Sequence, residues 1–295
     1  MRCSTSIDTI GIQVNLREED TRDFILDGIL THLREKNYYV AEKPYSANDY
    51  FFRKEYYIYA YNQTLCSLRL GSFSSKISLT DIYTTTYYIA IEFAGLKRYH
   101  EPLDTISKKA LLIVSAYFNT RNIFYKLTNL DICMDMYTGF ENVLALCTKK
   151  YPKTAYFTAN EPQPYETTRY IEKITYDKLD EVMQRSYLYD KSLKEGLPFH
   201  LIRFELKLQA KFFSKNSDNL IGSILSALDR YHVMYIPLKK ERNYLVQQYD
   251  ACPILRERDI KRIGFDKYRC YSDPTAIHAF ISEIFSIKER DLKLI

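Results

Sequence analysis

Alternation of apolar and polar residues is sharpest in three segments of the chain. In LIRFELKLQ (201–209), Ile202, Phe204, Leu206 and Leu208 take every second position, with Arg203, Glu205 and Lys207 between them. Successive strand residues point to opposite faces, so this pattern predicts a strand with one apolar and one charged face. NLDICMDMY (129–137) has the same design: Leu130, Ile132, Met134 and Met136 on one side, Asp131, Cys133, Asp135 and Tyr137 on the other. A third strand, over 185–191, puts Tyr187, Tyr189 and Lys191 on one face.

Elsewhere the pattern predicts a strand over 7–16 and a helix after it, with Phe24, Ile25, Ile29, Leu30 and Leu33 as its apolar stripe. Short aromatic and β-branched runs at 38–42, 54–62, 64–71 and 85–95 predict antiparallel strands. A second helix is predicted over 102–118, opening on Pro102 and Asp104. The layout then restarts: strand 129–137, a helix near 139–150, further strands ending in the two charged ones, and a helix near 217–233. SIDTIGIQV and NLDICMDMY begin these two halves alike. The expectation is an α+β protein of two similar sheets, pseudo-duplicated β-α-β-β-β-α units with outer helices. Its boundaries fall at 1–122, 123–234 and a basic, mainly helical segment over 235–295.

The 295 residues suffice for a substantial core in one large or two intimate domains. No run approaches the ~20 apolar residues of a membrane span, and the start has no apolar leader core, so a cytoplasmic chain is expected. Six cysteines form no CxxC pair, which points to buried reduced thiols rather than zinc. The net charge of +5 permits DNA binding without requiring it. Tyrosine is in excess, 28 residues with no tryptophan; tyrosines can stack on bases, but A/T-rich coding accounts for most of the excess. The most basic stretch holds Lys239, Lys240, Arg258, Lys261 and Arg262, candidates for phosphate neutralisation. With Glu257 and Asp259 interleaved, a solvated helix face is an equal alternative.

Several chemistries are excluded by motif. There is no P-loop, no GxGxxG, no GxSxG elbow and no paired histidine. The charged strands offer something else: a phenol, cations and carboxylates on one sheet surface, suited to phosphodiester chemistry. Asp131 and Asp135 lie ~13 Å apart along a regular strand, so Asp131 with Glu205 is the better metal pair, and Asp135 a further candidate ligand. Hard oxygen donors suit Mg²⁺ or Mn²⁺. The alternative is that all three polar faces are merely solvated.

The order LDxxxD, then YDK followed by an acidic residue, then RFEL resembles the replication initiators of rolling-circle plasmids and filamentous phages. The group concerned lacks the paired-histidine motif, and mobile-element relaxases are related to it. The resemblance covers residues 125–215. It implies that Tyr189 is the nucleophile and that Asp131 and Glu205 are the acidic site residues. Many relatives carry an arginine two before the first aspartate, where this chain has Asn129. A phenol has an ordinary pKa of about 10, so Lys191 is expected to favour the phenolate. Arg203 is expected to hold the scissile phosphate or orient Glu205. The implied activity is metal-dependent nicking and joining of DNA at an origin, through a phosphotyrosine and a free 3′-hydroxyl. The implied partner is DNA, single-stranded or supercoiled, with a host helicase and a second copy of the chain as further candidates. A relaxase with the same chemistry and a non-enzymatic DNA-binding protein are the alternatives.

Overall fold

The computed structural model describes residues 3–43, 54–77, 82–97, 99, 103–147, 168–171, 183–249 and 267–285. The fold is mixed α+β with antiparallel sheet pairing and several helices. The chain divides into two compact units, one of residues 8–130 and 280–295, the other of residues 1–7 and 131–279.

In the first unit, β1 (Cys3–Leu16, its first five residues in the other unit) leads into α1 (Glu19–Glu35) and then β2 (Tyr39–Glu42), β3 (Lys54–Ala60), β4 (Gln63–Lys76) and β5 (Tyr83–Ala94). The strands lie in the order β2-β3-β4-β5-β1. The β3–β4 connection is a two-residue hairpin in which Tyr61 and Asn62 both have positive φ, the twist such a turn requires. Helix α1 buries Ile25, Leu26, Ile29, Leu30 and Leu33. Phe24, expected in that stripe, is 71% exposed, because 3.6-residue periodicity places Leu26 where the core lies. Asn37, at φ 64°, ends the helix in the left-handed conformation that asparagine tolerates. Helix α2 (Leu103–Thr120) follows β5 as predicted.

The second unit contains most of β6 (Lys126–Met136), then β7 (Val143–Cys147), β8 (Thr168–Tyr170), β9 (Gln184–Asp190), α3 (Lys191–Glu195) and β10 (Ile202–Gln209). After these come α4 (Ala210–Lys215), α5 (Leu220–Asp229), β11 (Tyr231–Tyr235), α6 (Lys239–Tyr249), β12 (Arg269–Cys270) and α7 (Pro274–Phe285, its last six residues in the first unit). The main strands run β6-β10-β9-β8, and a small sheet runs β12-β11-β7.

Two expected helices are corrected here. Residues 139–150 hold a 3-10 turn at Phe140–Asn142 and then β7, whose five residues VLALC are all buried. A short continuous apolar run is equally a buried strand, and pairing with β11 decides it. The helix expected to reach 233 stops at Asp229, and YHVMY pairs as β11. Among the described residues, β6 is thus followed by this 3-10 turn and a strand, where β1 is followed by α1. Strand β1 neighbours β5 and strand β6 neighbours β10, while β7 and β11 lie in the small sheet. Among the described residues no helix is long and apolar enough to cross a membrane.

Candidate active site

Three strands of the second unit bring the polar residues together. In the antiparallel register of β9 and β10, Tyr189 faces Arg203, Tyr187 faces Glu205 and Arg185 faces Lys207. Strand β6 lies on the other side of β10, and Asp135 and Asp131 meet Arg203 and Lys207 in the same descending order. Period-2 alternation puts all of these side chains on one face. On the opposite face, Ile202, Phe204, Leu206 and Leu208 are buried in the core, with Phe204 against the ring of Tyr231.

The polar face is buried too, which overturns the solvated-face alternative. Asp131, Asp135, Arg203 and Glu205 are all buried, and Tyr189 is 5% exposed. Charges withdrawn from water need partners, and these have them. Glu205 accepts a hydrogen bond on each oxygen: from Tyr187 Oη to Oε1 at 2.9 Å and from Tyr189 Oη to Oε2 at 2.8 Å. Lys207 Nζ lies 3.1 Å from Glu205 Oε1 and 2.5 Å from Asp131 Oδ2, a single ammonium shared by two carboxylates. Arg203 grips Asp135 with two hydrogen bonds, Nε to Oδ1 at 2.7 Å and Nη2 to Oδ2 at 3.0 Å, with both side chains 0% exposed. The rings of Tyr187 and Tyr189 stand 5.8 Å apart, and the Lys194 ammonium lies 5.1 Å from the centre of the Tyr189 ring.

The electrostatics follow from this packing. Burial pushes the Glu205 carboxyl up, but the Lys207 charge and the hydrogen bonds from Tyr189 and Tyr187 prevail and hold it below the ordinary value. Burial and then the Glu205 charge push the Tyr187 phenol well above its usual range, only partly opposed by Lys207. Burial pulls the Lys207 amine down, yet the charges of Asp131 and Glu205 raise it overall. Glu205 is thus a carboxylate at neutral pH, and Tyr187 a neutral phenol donating to it.

Lys191 departs from its expected position. Strand β9 ends at Asp190, whose carboxylate accepts from the backbone of Leu193 and so caps α3. Lys191 is the first helical residue, buried, and pairs with Glu195 one turn on, not with the phenol of Tyr189. Asp135 is committed to Arg203, and Arg203 to Asp135.

For a divalent ion, Asp131 and Glu205 fit as a pair, because they already converge on one cation. That place belongs to Lys207, so a metal would enter by displacing the ammonium. Among the described residues no group of three or more His, Cys, Asp or Glu is placed to hold an ion. Of the basic candidates, Lys239 and Lys240 are exposed at the start of α6, while Arg258, Lys261 and Arg262 lie outside the described residues.

Sequence reasoning placed Lys207 on the right face but assigned it no role, and it passed over Arg185 and Lys194. Arg185 opens the predicted strand and shares the face of Tyr187 and Tyr189 by the same alternation. Lys194 arrives through the turn of α3, which no strand pattern predicts.

No protein-family model matches the chain, and no curated relative does. Among solved structures, the chain is similar to "Structure of Rolling Circle Replication Initiator Protein from Geobacillus stearothermophilus", at 11% identity and a TM-score of 0.38. That match covers 91% of this chain and 98% of the other. A likeness at this level leaves the reading of the site to its own geometry.

Proposed function

We propose that this chain nicks and rejoins DNA through a covalent phosphotyrosine, as an initiator of rolling-circle replication. A relaxase would use the same chemistry. The observation that carries the reading is Tyr189 Oη donating to Glu205 Oε2 at 2.8 Å, on a buried face that also carries Asp131 and Lys207. A nucleophile hydrogen-bonded to an ionised acceptor is the arrangement from which a hydroxyl can attack.

Tyr189 Oη attacks the phosphorus of a backbone phosphodiester and its proton passes to Glu205. The bond from phosphorus to the 3′-oxygen breaks, that oxygen takes up a proton from solvent, and the 5′-phosphate stays on Tyr189. Rejoining runs the same steps backwards. Asp131 and Glu205 are the residues that would hold Mg²⁺ or Mn²⁺, which supplies charge stabilisation at the phosphoryl oxygens. Lys207, the ammonium beside those carboxylates, would supply a cation for the phosphate.

The test is a covalent adduct: the protein incubated with labelled single-stranded or supercoiled DNA and Mn²⁺, then separated under denaturing conditions. Tyr189→Phe removes the hydroxyl and keeps the ring, and should abolish the adduct while leaving DNA affinity within about twofold. Tyr187→Phe is the control, since its phenol bonds the same carboxylate. An adduct lost only in Tyr187→Phe moves the nucleophile by two residues. One that survives both substitutions ends the tyrosine mechanism. Binding of DNA with no adduct in the unaltered protein favours a non-enzymatic DNA-binding role.

A further inference from the structure

The cations of the tyrosine face are largely spoken for. Lys207 is shared by Asp131 and Glu205, Arg203 is held by Asp135, and Lys191 by Glu195. Arg185 differs. It follows Tyr189 and Tyr187 in the same alternation on β9 and stands directly across from Lys207 on β10. Opposite residues of an antiparallel pair have Cβ atoms ~4.5–5.5 Å apart, so the guanidinium stem rises beside the carboxylate cluster. Among the described residues no acceptor bonds to this guanidinium, and its Nε is buried without a partner.

An unpaired buried N–H on a charged group costs more than the ~1–3 kcal/mol of a neutral one. Arg185 is half-buried, with its Nε enclosed. A guanidinium presents its donors in a planar fork that matches the oxygens of a phosphate. Along the strand Arg185 lies ~7 Å from Tyr187 and ~13 Å from Tyr189. It is therefore displaced by several ångströms from the phosphorus that Tyr189 would attack.

We propose that Arg185 holds a DNA phosphate flanking the scissile one, and so sets the register of the strand over the tyrosines. This rests on the nicking reading of the same face. Arg185 is a substrate-binding residue: it grips the strand away from the bond that breaks.

The test uses the full chain and a fluorescein-labelled single-stranded oligonucleotide, with binding followed by anisotropy across a salt series and no divalent metal. Arg185→Gln should weaken binding about tenfold, as expected for one charge-assisted hydrogen bond. The slope of log affinity against log salt should fall by ~0.7, the value for one phosphate on a single strand. Arg185→Lys should keep the slope and recover part of the affinity.

Should Arg185→Gln not fold, the unaltered protein still decides. An arginine-selective dicarbonyl should modify Arg185, and the oligonucleotide should protect it, as read by peptide mass spectrometry. Unchanged affinity and slope, or modification that the oligonucleotide does not slow, overturns the proposal. Protection with no adduct under any condition leaves a strand-binding arginine and removes the nicking reading. An adduct with Arg185 unprotected does the reverse.

Discussion

At the scale of single residues, the site is a set of paired charges, and each pair has a different consequence when broken. Arg203 and Asp135 are wholly excluded from water and joined by two hydrogen bonds. Removing one partner leaves an uncompensated buried charge, so Arg203→Met should destabilise the fold by about 3–5 kcal/mol. Asp135→Leu added to it should recover most of that loss, because two apolar side chains then fill the volume. Chemical denaturation of the two variants checks this, and a double variant as unstable as the single would deny the pairing its role. Lys207 behaves differently, since its side chain is 24% exposed and it serves two carboxylates. Replacing it with Met removes the resident cation and should tighten Mn²⁺ binding by Asp131 and Glu205, measured by calorimetry without DNA. Weaker Mn²⁺ binding in Lys207→Met would show that these carboxylates do not form the metal pair.

At the scale of elements, the short helix α3 closes the end of β9. Asp190 caps its start and Gly196, at φ 64°, takes the left-handed position at its end. Nothing lies within 4 Å of where a Cβ would sit on Gly196, so only backbone strain opposes a side chain there. Gly196→Ala should cost about 1–2 kcal/mol from that conformation alone, and Asp190→Ala about 1 kcal/mol from the missing cap. Thermal or urea unfolding measures both. Lys191 and Lys194 owe their places to this turn, so looser packing of α3 should show first in the environment of Tyr189.

For the protein as a whole, pH dependence follows from the two ends of the Glu205–Lys207 pair. The Glu205 carboxyl is held below its ordinary value of about 4.3. Its contribution to stability is complete above that value and is lost as pH falls from there through the depressed folded-state value. Lys207 is raised, so its contribution is complete below the ordinary lysine value of about 10.4 and is lost as pH climbs beyond it. Stability should therefore be flat through neutrality, and Glu205→Gln should shallow the acid limb while leaving the neutral plateau's slope unchanged. An acid limb identical in Glu205→Gln would place the titrating groups elsewhere. Lys239 and Lys240, exposed on α6, offer a separate test of nucleic-acid binding. Replacing both with Ala should weaken DNA binding and lower its salt slope by ~0.7–0.9 for each phosphate that is no longer neutralised. An unchanged slope would remove α6 from the interface.

Period-2 alternation by itself determined β6, β9 and β10 and the shared polar side of each, because a strand has only two faces. It therefore brought Tyr187, Tyr189, Glu205, Asp131 and Arg203 within the reader's reach before any fold was known. It did not determine which side of the sheet is wet. Asp131, Asp135, Arg203 and Glu205 on the charged face are nearly as buried as the apolar residues behind them, which alternation alone does not reveal. Pairing across strands was likewise decided by tertiary register: Arg203 with Asp135 and Lys207 with Asp131 join residues 68 and 76 positions apart. VLALC became a strand and not a helix because β11 offered it an edge, and local propensity in five apolar residues carries no such information. Lys191 left the strand for a helix because Asp190 could cap one, a contest between two local structures that only the finished turn resolves.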